Sequence, residues 1–204
     1  RVSDRLGIEC SIDIVKTRGD RVQNVAFQKM EGTGFFTKEL QDALLAGPVD
    51  LGVHSLKDLP TEEPEGLGIS AIPERVDPSD LLLARRNLLE RNHADPLGLP
   101  PDAVLGTSSL RRASQALALS PEIEVRALRG NVPTRIGKLR EGDYDAILLA
   151  AAGVRRLGLD LDDLECVELL PEVMLPAPGQ GALAIEARAD DEVAGQLSAL
   201  HDPT

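Results

Sequence analysis

With 204 residues, the chain can bury one large hydrophobic core or two modest ones. Its formal net charge of −12 disfavours nucleic acids and anionic membranes as partners, because like charges repel. No apolar run reaches the length of a transmembrane helix, and with no Trp and one Tyr the chain is poor in platforms for stacking bases or sugars. Cys10 and Cys166 are too few and too far apart for a disulfide framework or a metal site, so we expect a cytoplasmic protein without a metal.

The first residues predict alternating helices and strands. Gly7 ends a short helix over residues 1–6, and apolar and polar residues alternate over 8–15 as in a strand. A polar loop is predicted over 28–34, followed by a helix over 38–46. This alternation assigns the chain to the α/β class.

A polar turn follows the next apolar segment. Val49, Leu51 and Val53 alternate as in a strand that ends in His54 and leads to Lys57 and Asp58. An adjacent Lys and Asp can supply a cation for a substrate carboxylate and an anion for a developing positive charge. An ordinary polar turn explains the same residues, with His54 as a hydrogen-bonding residue at the end of the strand.

The chain crosses twice between two units. A strand over 67–72 is followed by a Pro-containing crossover, and a second stiff segment over 171–178 precedes another apolar strand. The sequence therefore predicts two lobes, with domain 2 (77–178) inserted into a discontinuous domain 1 (1–76 plus 179–204). We expect mixed, mostly parallel sheets.

The first arginine-bearing junction follows a short strand at residues 104–106. Ser108 or Ser109 is predicted to cap a helix that ends near Ser120, with Leu110, Ala113 and Leu117 on one face. Arg111 and Arg112 lie in the first turn, where cations face the positive end of the helix dipole. That placement suits a bound carboxylate or phosphate, although a solvated arginine pair is the alternative.

Two further junctions resemble the first. After a strand over 123–127, Gly130, Asn131 and Pro133 open a helix, with Arg129 before it and Arg135 in its first turn. After a continuous apolar strand over 146–151, Arg155 and Arg156 form a third junction. Ligands of open α/β sheets bind at the carboxyl ends of strands, so these arginines are predicted to line the cleft between the lobes.

Four segments spread over nearly the whole chain stand out together. They are Val53-His54-Ser55-Leu56-Lys57-Asp58-Leu59-Pro60, Gly106-Thr107-Ser108-Ser109-Leu110-Arg111-Arg112, Arg129-Gly130-Asn131-Val132-Pro133-Thr134-Arg135 and Pro178-Gly179-Gln180-Gly181-Ala182. Together these segments resemble the porphobilinogen deaminase (hydroxymethylbilane synthase) family, and they occur in that family's order and spacing.

The resemblance implies a transferase of heme and porphyrin biosynthesis that condenses four porphobilinogen units into hydroxymethylbilane, a linear tetrapyrrole, and releases ammonia. It also implies a periplasmic-binding-protein-like fold and a dipyrromethane cofactor, held by a cysteine of a third domain. Asp58 matches the catalytic aspartate. The residues implied in binding the carboxylates of cofactor and substrate are Ser55, Lys57, Thr107, Ser108, Ser109, Arg111, Arg112, Arg129, Gly130, Asn131, Arg135, Arg156 and Gln180.

Some features depart from the family pattern. Neither Cys10 nor Cys166 matches the cofactor cysteine, and the third domain would begin where the sequence ends. Lys29 matches the family's loop, whereas Glu31 and Thr33 do not. We therefore expect a monomeric fragment of the first two domains that binds porphobilinogen and polypyrrole intermediates with little or no turnover. The alternatives are a non-catalytic two-lobed module for small anions and a fragment that self-associates through an exposed apolar patch.

Overall fold

The computed structural model of the chain describes residues 2–15, 37–89 and 96–203. The chain divides into two compact units, the first formed by residues 1–76 and 181–204 and the second by residues 77–180. The return boundary thus lies two residues later than expected from the sequence. Gln180 belongs to the second unit because its Nε2 donates hydrogen bonds to Pro78 O and Asp80 Oδ1. The predicted loop over 28–34, with Lys29, lies outside the described residues.

The first unit is a three-stranded antiparallel sheet with helices. In chain order its elements are α1 (Val2–Leu6), α2 (Lys38–Ala46), β1 (Gly52–Ser55), β2 (Leu67–Ala71), β8 (Leu183–Arg188) and α6 (Glu192–Leu197). The strand order is β1-β8-β2, so β8 is central. Ala71, Ile185, Ala187, Leu197 and Leu200 form the buried core between the sheet and α6.

One expectation for the first unit is wrong. Residues 8–15 form no strand, and Ile12 and Ile14 are 90% and 88% exposed. Alternation of apolar residues alone does not make a strand, because the backbone also needs a neighbouring strand to bond with. In β1 the inward residue is His54 rather than Val53, which is 57% exposed, because a polar network occupies the inner face of the sheet at this point.

The second unit is a five-stranded mixed sheet covered by helices. Its elements are β3 (Asp80–Arg85), β4 (Val104–Gly106), α3 (Leu110–Leu119), β5 (Glu124–Arg126), α4 (Val132–Glu141), β6 (Ala146–Ala150), α5 (Ala151–Leu157) and β7 (Leu164–Leu169), with strand order β5-β4-β6-β3-β7. Strand β6 is buried on both faces, as the continuous apolar run predicted: Leu148 packs into one core cluster and Ile147 and Leu149 into another.

The sheets are mixed, but the expectation that they are mostly parallel is wrong for the strands that the structure describes. Strand β4 pairs in parallel with β5 and β6, whereas β3 is antiparallel to β6 and β7, and β8 is antiparallel to β1 and β2. Every antiparallel pair therefore includes β3 or β8. These are the strands that follow the two crossings, and each runs against the neighbours it joins.

Gly106 lies in close contact with the side chains of Tyr144 and Ile147, which leave no room for a larger residue. A Cβ at Gly106 would lie 2.7 Å from the ring of Tyr144 and 3.0 Å from Ile147 Cγ2. Because the Tyr144 hydroxyl donates to Ala127 O at 2.6 Å, the ring cannot move without losing that bond. We expect Gly106→Ala to lower the free energy of unfolding by about 1–3 kcal/mol in a urea titration.

Gly137, in the middle of α4, is the matched control. A Cβ there meets no atom within 4 Å. Gly137→Ala should therefore leave the fold intact and raise the free energy of unfolding by about 0.5–1 kcal/mol, since Ala favours helix over Gly. Equal effects of the two substitutions would contradict the packing assigned to Gly106.

Candidate functional site

The first part of the candidate site is the turn that carries Asp58. Strand β1 ends at Ser55, and residues Leu56–Asp58 form one turn of 3-10 helix. The backbone N–H of Leu56 donates to Ala182 O at 3.1 Å, which fixes the start of the turn to the segment before β8. Ser55 is half-buried, and Lys57 and Asp58 are exposed. The sheet thus presents a carboxylate on a fixed turn.

The electrostatic surroundings of Asp58 favour proton exchange. Partial desolvation raises the pKa of its carboxyl group, and the charges of Lys57 and His54 oppose that rise without cancelling it. Asp58 therefore keeps its proton to a higher pH than an ordinary aspartate. A carboxyl group with a raised pKa accepts a proton more readily than an ordinary aspartate, which suits a role in proton transfer.

The three hydroxyls before α3 shape the loop rather than stand free. Ser109 Oγ accepts a hydrogen bond from Arg112 N at 3.4 Å, which confirms Ser109 as the N-cap. Thr107 Oγ1 accepts from Ser109 N at 3.2 Å, and Ser108 Oγ donates to Leu128 O at 2.8 Å. These bonds hold the start of α3 in one conformation beside the neighbouring strand–helix junction.

The buried face of α3 is not the one that the apolar spacing predicted. Leu110 and Leu117 are 65% and 41% exposed, whereas Arg112 and Ala116 are buried. The reason is Asp80, the first residue of β3, whose side chain is completely buried and requires a counter-charge. The helix turns its arginine inward to meet that carboxylate.

Asp80 accepts hydrogen bonds from three side chains. Arg112 donates to Oδ1 through Nε at 3.0 Å and Nη2 at 2.7 Å, and Arg111 Nη2 donates to Oδ2 at 2.7 Å. Gln180 Nε2 adds a bond of 2.9 Å to Oδ1. Burial alone would raise the pKa of Asp80, but the charge of Arg112 and these hydrogen bonds outweigh burial and hold the pKa below its ordinary value.

Arg111, Arg112 and Gln180 are thus engaged with an internal carboxylate. Arg111 also donates to Leu175 O at 2.5 Å and Arg112 to Leu148 O at 3.3 Å. Sequence reasoning missed Asp80, although a charged residue at the start of the apolar run Leu81 to Ala84 was a visible signal. Binding of an external ligand by these arginines remains a prediction.

The second arginine junction carries an excess of positive charge. Asn131 Oδ1 accepts from Thr134 N at 2.9 Å and caps α4, and Gly130 adopts a φ of 113°. Arg135 Nε donates to Gly130 O at 2.7 Å. No carboxylate forms an ion pair with Arg135 among the residues that the structure describes. Burial, followed by the charges of Arg112 and Arg129, lowers the pKa of Arg135.

This cluster of Arg112, Arg129 and Arg135, hereafter the arginine cluster, fits an anionic group. Arg112 is already paired with Asp80, but its charge and that of Arg129 still act on the partly buried Arg135, so a carboxylate brought to Arg135 would be stabilised. Guanidiniums also bind carboxylates through two parallel hydrogen bonds, which a lysine cannot do. A ligand that carries several carboxylates matches this chemistry.

The third junction differs from the prediction. Arg155 and Arg156 lie in the last turn of α5, not at its start, because the helix already begins at Ala151. Arg155 forms ion pairs of 2.6 Å with Asp77 and Glu168, and Arg156 is exposed. Arg156 therefore does not lie at the start of a helix, and its role in binding stays a prediction.

The predicted site residues fall into two groups. Ser55, Lys57 and Asp58 belong to the first unit, and the hydroxyls, the arginines and Gln180 belong to the second.

Cys10 and Cys166 are exposed free thiols. Within residues 2–15, 37–89 and 96–203 we find neither a cluster of three metal-ligating side chains nor a helix long and apolar enough to cross a membrane.

Comparisons with known proteins place these features in context. The family profile described as "Porphobilinogen deaminase, dipyromethane cofactor binding domain" matches residues 1–196. The porphobilinogen deaminase of Nitratidesulfovibrio vulgaris (strain DSM 19637 / Miyazaki F) is 49% identical over 200 residues, which cover 97% of this chain and 61% of that protein. That of Oceanobacillus iheyensis is 46% identical over 201 residues, covering 97% and 63%.

A solved structure shares the fold. The chain of an ancestral cationic amino acid solute-binding protein superimposes with a TM-score of 0.53 at 15% sequence identity, covering 78% of this chain and 65% of that one. At this identity the likeness concerns the fold alone. It agrees with the two-lobed, periplasmic-binding-protein-like α/β fold expected from the sequence.

Proposed function

The chain belongs to the porphobilinogen deaminase family, and we propose that it supplies the first two domains of a transferase of tetrapyrrole biosynthesis. The complete protein would condense four porphobilinogen molecules into hydroxymethylbilane and release ammonia. The chain spans about three-fifths of the length of the curated relatives it matches, with 61% of the Nitratidesulfovibrio protein covered. We expect a cytoplasmic monomer without a nucleic-acid partner.

The arginine cluster is the observation that carries this proposal. Each porphobilinogen ring bears an acetate and a propionate, so a chain of several rings brings many carboxylates to one place. Arg135 has no ion-pair partner among the described residues, and burial, together with the charges of Arg112 and Arg129, lowers its pKa. A substrate carboxylate would relieve this repulsion, which makes binding favourable despite the net negative charge of the protein.

Asp58 is proposed as the catalytic carboxylate. Departure of the protonated amino group as ammonia leaves a cationic methylene-pyrrolenine, and a pyrrole carbon attacks it to form the new carbon–carbon bond. The ionised carboxylate of Asp58 stabilises that cation, and it can then accept the proton that the attacking pyrrole carbon loses. Lys57 beside it offers a cation to a substrate carboxylate.

A dipyrromethane cofactor fits the same residues. Its carboxylates suit the arginine cluster of the second unit, with Arg129 and Arg135 as the guanidiniums that would hold them. When bound, the dipyrromethane supplies the pyrrole to which the first substrate ring is joined. Neither Cys10 nor Cys166 matches the position at which the family attaches it.

Binding of porphobilinogen tests the role of the arginine cluster. We expect Arg135→Lys to weaken binding about tenfold or more in calorimetric titrations, because the ammonium group cannot form the paired hydrogen bonds of a guanidinium. Arg140→Lys is the matched control on the same helix, since Arg140 is exposed and pairs with Asp163. Equal affinities of the two variants would contradict the assignment.

The intact mass of the chain, before and after incubation with porphobilinogen, tests catalysis. We expect an unmodified mass and no ammonia release from this chain, and ammonia release from the complete protein. Mass added in whole pyrrole units would show that Cys10 or Cys166 anchors the product. A complete protein that binds porphobilinogen without releasing ammonia would favour the non-catalytic binding module instead.

A further inference from the structure

A buried polar network lies behind the Asp58 turn, and the proposed reaction does not use it. His54 is 6% exposed and Glu186 2% exposed, and His54 Nε2 lies 3.0 Å from Glu186 Oε2. Gln41 of α2, also buried, donates from Nε2 to the other oxygen, Glu186 Oε1, at 3.0 Å. An ionisable pair enclosed in this way is costly to keep, so its persistence calls for an explanation beyond packing.

The fold leaves room for the imidazole ring. In the antiparallel pair of β1 and β8, Gly52 stands directly opposite Glu186, and His54 lies two residues along on the same face. A Cβ at Gly52 would come within 2.9 Å of His54 Nε2 and 3.2 Å of Leu44 Cδ1. The absence of a side chain at Gly52 therefore allows the ring to lean back towards the Glu186 carboxylate.

The same strand leads directly to Asp58. His54 is the last buried residue of β1, and the 3-10 turn of Leu56–Asp58 begins two residues later. Leu56 N, at the start of the turn, bonds Ala182 O, so the turn is tied to the segment just before β8, the strand that also carries Glu186. The imidazole charge acts on Asp58 as well, because it lowers the pKa of that carboxyl group against the effect of desolvation.

We propose that His54 is a positioning residue for the catalytic carboxylate of Asp58. Glu186 orients the His54 imidazole, and the absence of a side chain at Gly52 makes room for it. This inference rests on the catalytic role proposed for Asp58. It explains why the buried His54–Glu186 pair is retained, since the imidazole charge makes Asp58 easier to ionise. The charges that act on Asp58 are those of Lys57 on the turn and His54 on β1. His54 in turn lies beside Glu186 of β8, which accepts a hydrogen bond from the uncharged Gln41 of α2.

A purely structural role for the network predicts a different result from the positioning role. If His54 only fills space, a folded His54→Gln variant changes the stability of the sheet and leaves the titration of Asp58 as it was. If His54 positions and tunes Asp58, the variant makes the carboxyl group harder to ionise, because one of the two opposing positive charges is gone.

The titration of Asp58 in this chain distinguishes the two roles. With carbon-13 in the aspartate carboxyl groups, the Asp58 signal is identified by its loss in Asp58→Asn and followed by NMR. We expect His54→Gln to raise the ratio of protonated to ionised Asp58 about threefold at a fixed acidic pH. Gly52→Ala, which displaces the ring without changing any charge, should shift the ratio in the same direction.

A matched control variant completes the test. His201→Gln removes another histidine of the same unit, one that accepts a hydrogen bond from Ile72 N, and it should leave the Asp58 ratio unchanged. An unchanged Asp58 ratio in folded His54→Gln, or an equal shift in His201→Gln, overturns the proposal.

Failure of this inference and failure of the proposed function are separable. If Asp58 responds to His54 as expected but the complete protein with Asp58→Asn keeps normal turnover, the electrostatic coupling stands and the catalytic role of Asp58 falls. If turnover is lost in Asp58→Asn while the Asp58 signal ignores His54, the catalytic role stands and the positioning role of His54 falls.

Discussion

Asp80→Asn is expected to lower the free energy of unfolding of the second unit by about 3–5 kcal/mol, because it removes one member of a buried charge cluster. Asp80 is 0% exposed, and the side chain of Arg112 is only 7% exposed. Without the carboxylate, the Arg112 guanidinium keeps its charge in a buried position and has nothing to balance it. The measurement is a urea titration followed by the fluorescence of Tyr144, the one tyrosine of the chain, which lies in this unit.

The stabilising effect of Asp80 should also depend on pH. The pKa of Asp80 lies below its ordinary value in the folded chain, so its stabilising effect is complete above the ordinary aspartate pKa. That effect is lost as the pH falls through the lower, folded pKa. The difference in unfolding free energy between the unmodified chain and Asp80→Asn should therefore be largest near neutral pH and shrink in acid.

Asp163→Asn is the matched control for Asp80→Asn. Asp163 also pairs with an arginine of the second unit, Arg140 at 2.6 Å, but both side chains are about half exposed, at 52% and 42%. Water screens such a pair, so little change in stability is expected. If the two variants unfolded at the same urea concentration, Asp80 would not be the organising charge of the unit.

Asp58→Asn should reduce the turnover of the complete protein by about 10²–10⁴-fold, since it removes both a proton acceptor and the negative charge that stabilises a cation. Asp58 is exposed, so we expect no loss of folding stability to accompany the loss of activity. The measurement is the rate of ammonia release from porphobilinogen. In the unmodified protein that rate should fall as the pH drops through the raised pKa of Asp58.

Glu62→Gln is the control for Asp58→Asn. It makes the same chemical change at another exposed carboxylate, four residues further along the chain. We expect its ammonia release to match that of the unmodified protein. Near-normal turnover of Asp58→Asn would remove the aspartate from the reaction and require another group to stabilise the cation.

Local signals in the sequence predicted most elements of the second unit. Ser109 and Asn131 cap α3 and α4 as expected, because their side chains bond the N–H groups of the first helical turn. The apolar run of β6 is buried on both faces. These features depend on residues close together in the sequence, so a pattern over a few positions contains the necessary information.

Two side-chain orientations that depend on distant residues were not predicted. The orientation of α3 is decided by Asp80, which lies 32 residues before Arg112 in the chain, and an apolar spacing rule does not register a buried carboxylate. Likewise, His54 faces inward because Glu186 stands on the neighbouring strand. In each case a charge from another strand overrides local periodicity. The positions of Lys57 and Asp58 on a turn at the end of β1 followed from the sequence because that turn is local.

The hydrogen bonds between the two crossings also bear on the order of folding. Strands β2 and β8 pair directly, yet the whole second unit separates them in the chain. Gln180 bonds Pro78 O at 2.6 Å, and Val76 N bonds Gly181 O at 3.3 Å, so a folded second unit delivers its two ends side by side. Bringing β2 and β8 together then costs about as little conformational entropy as closing a short hairpin loop. The first unit should therefore assemble fastest after the second unit has folded.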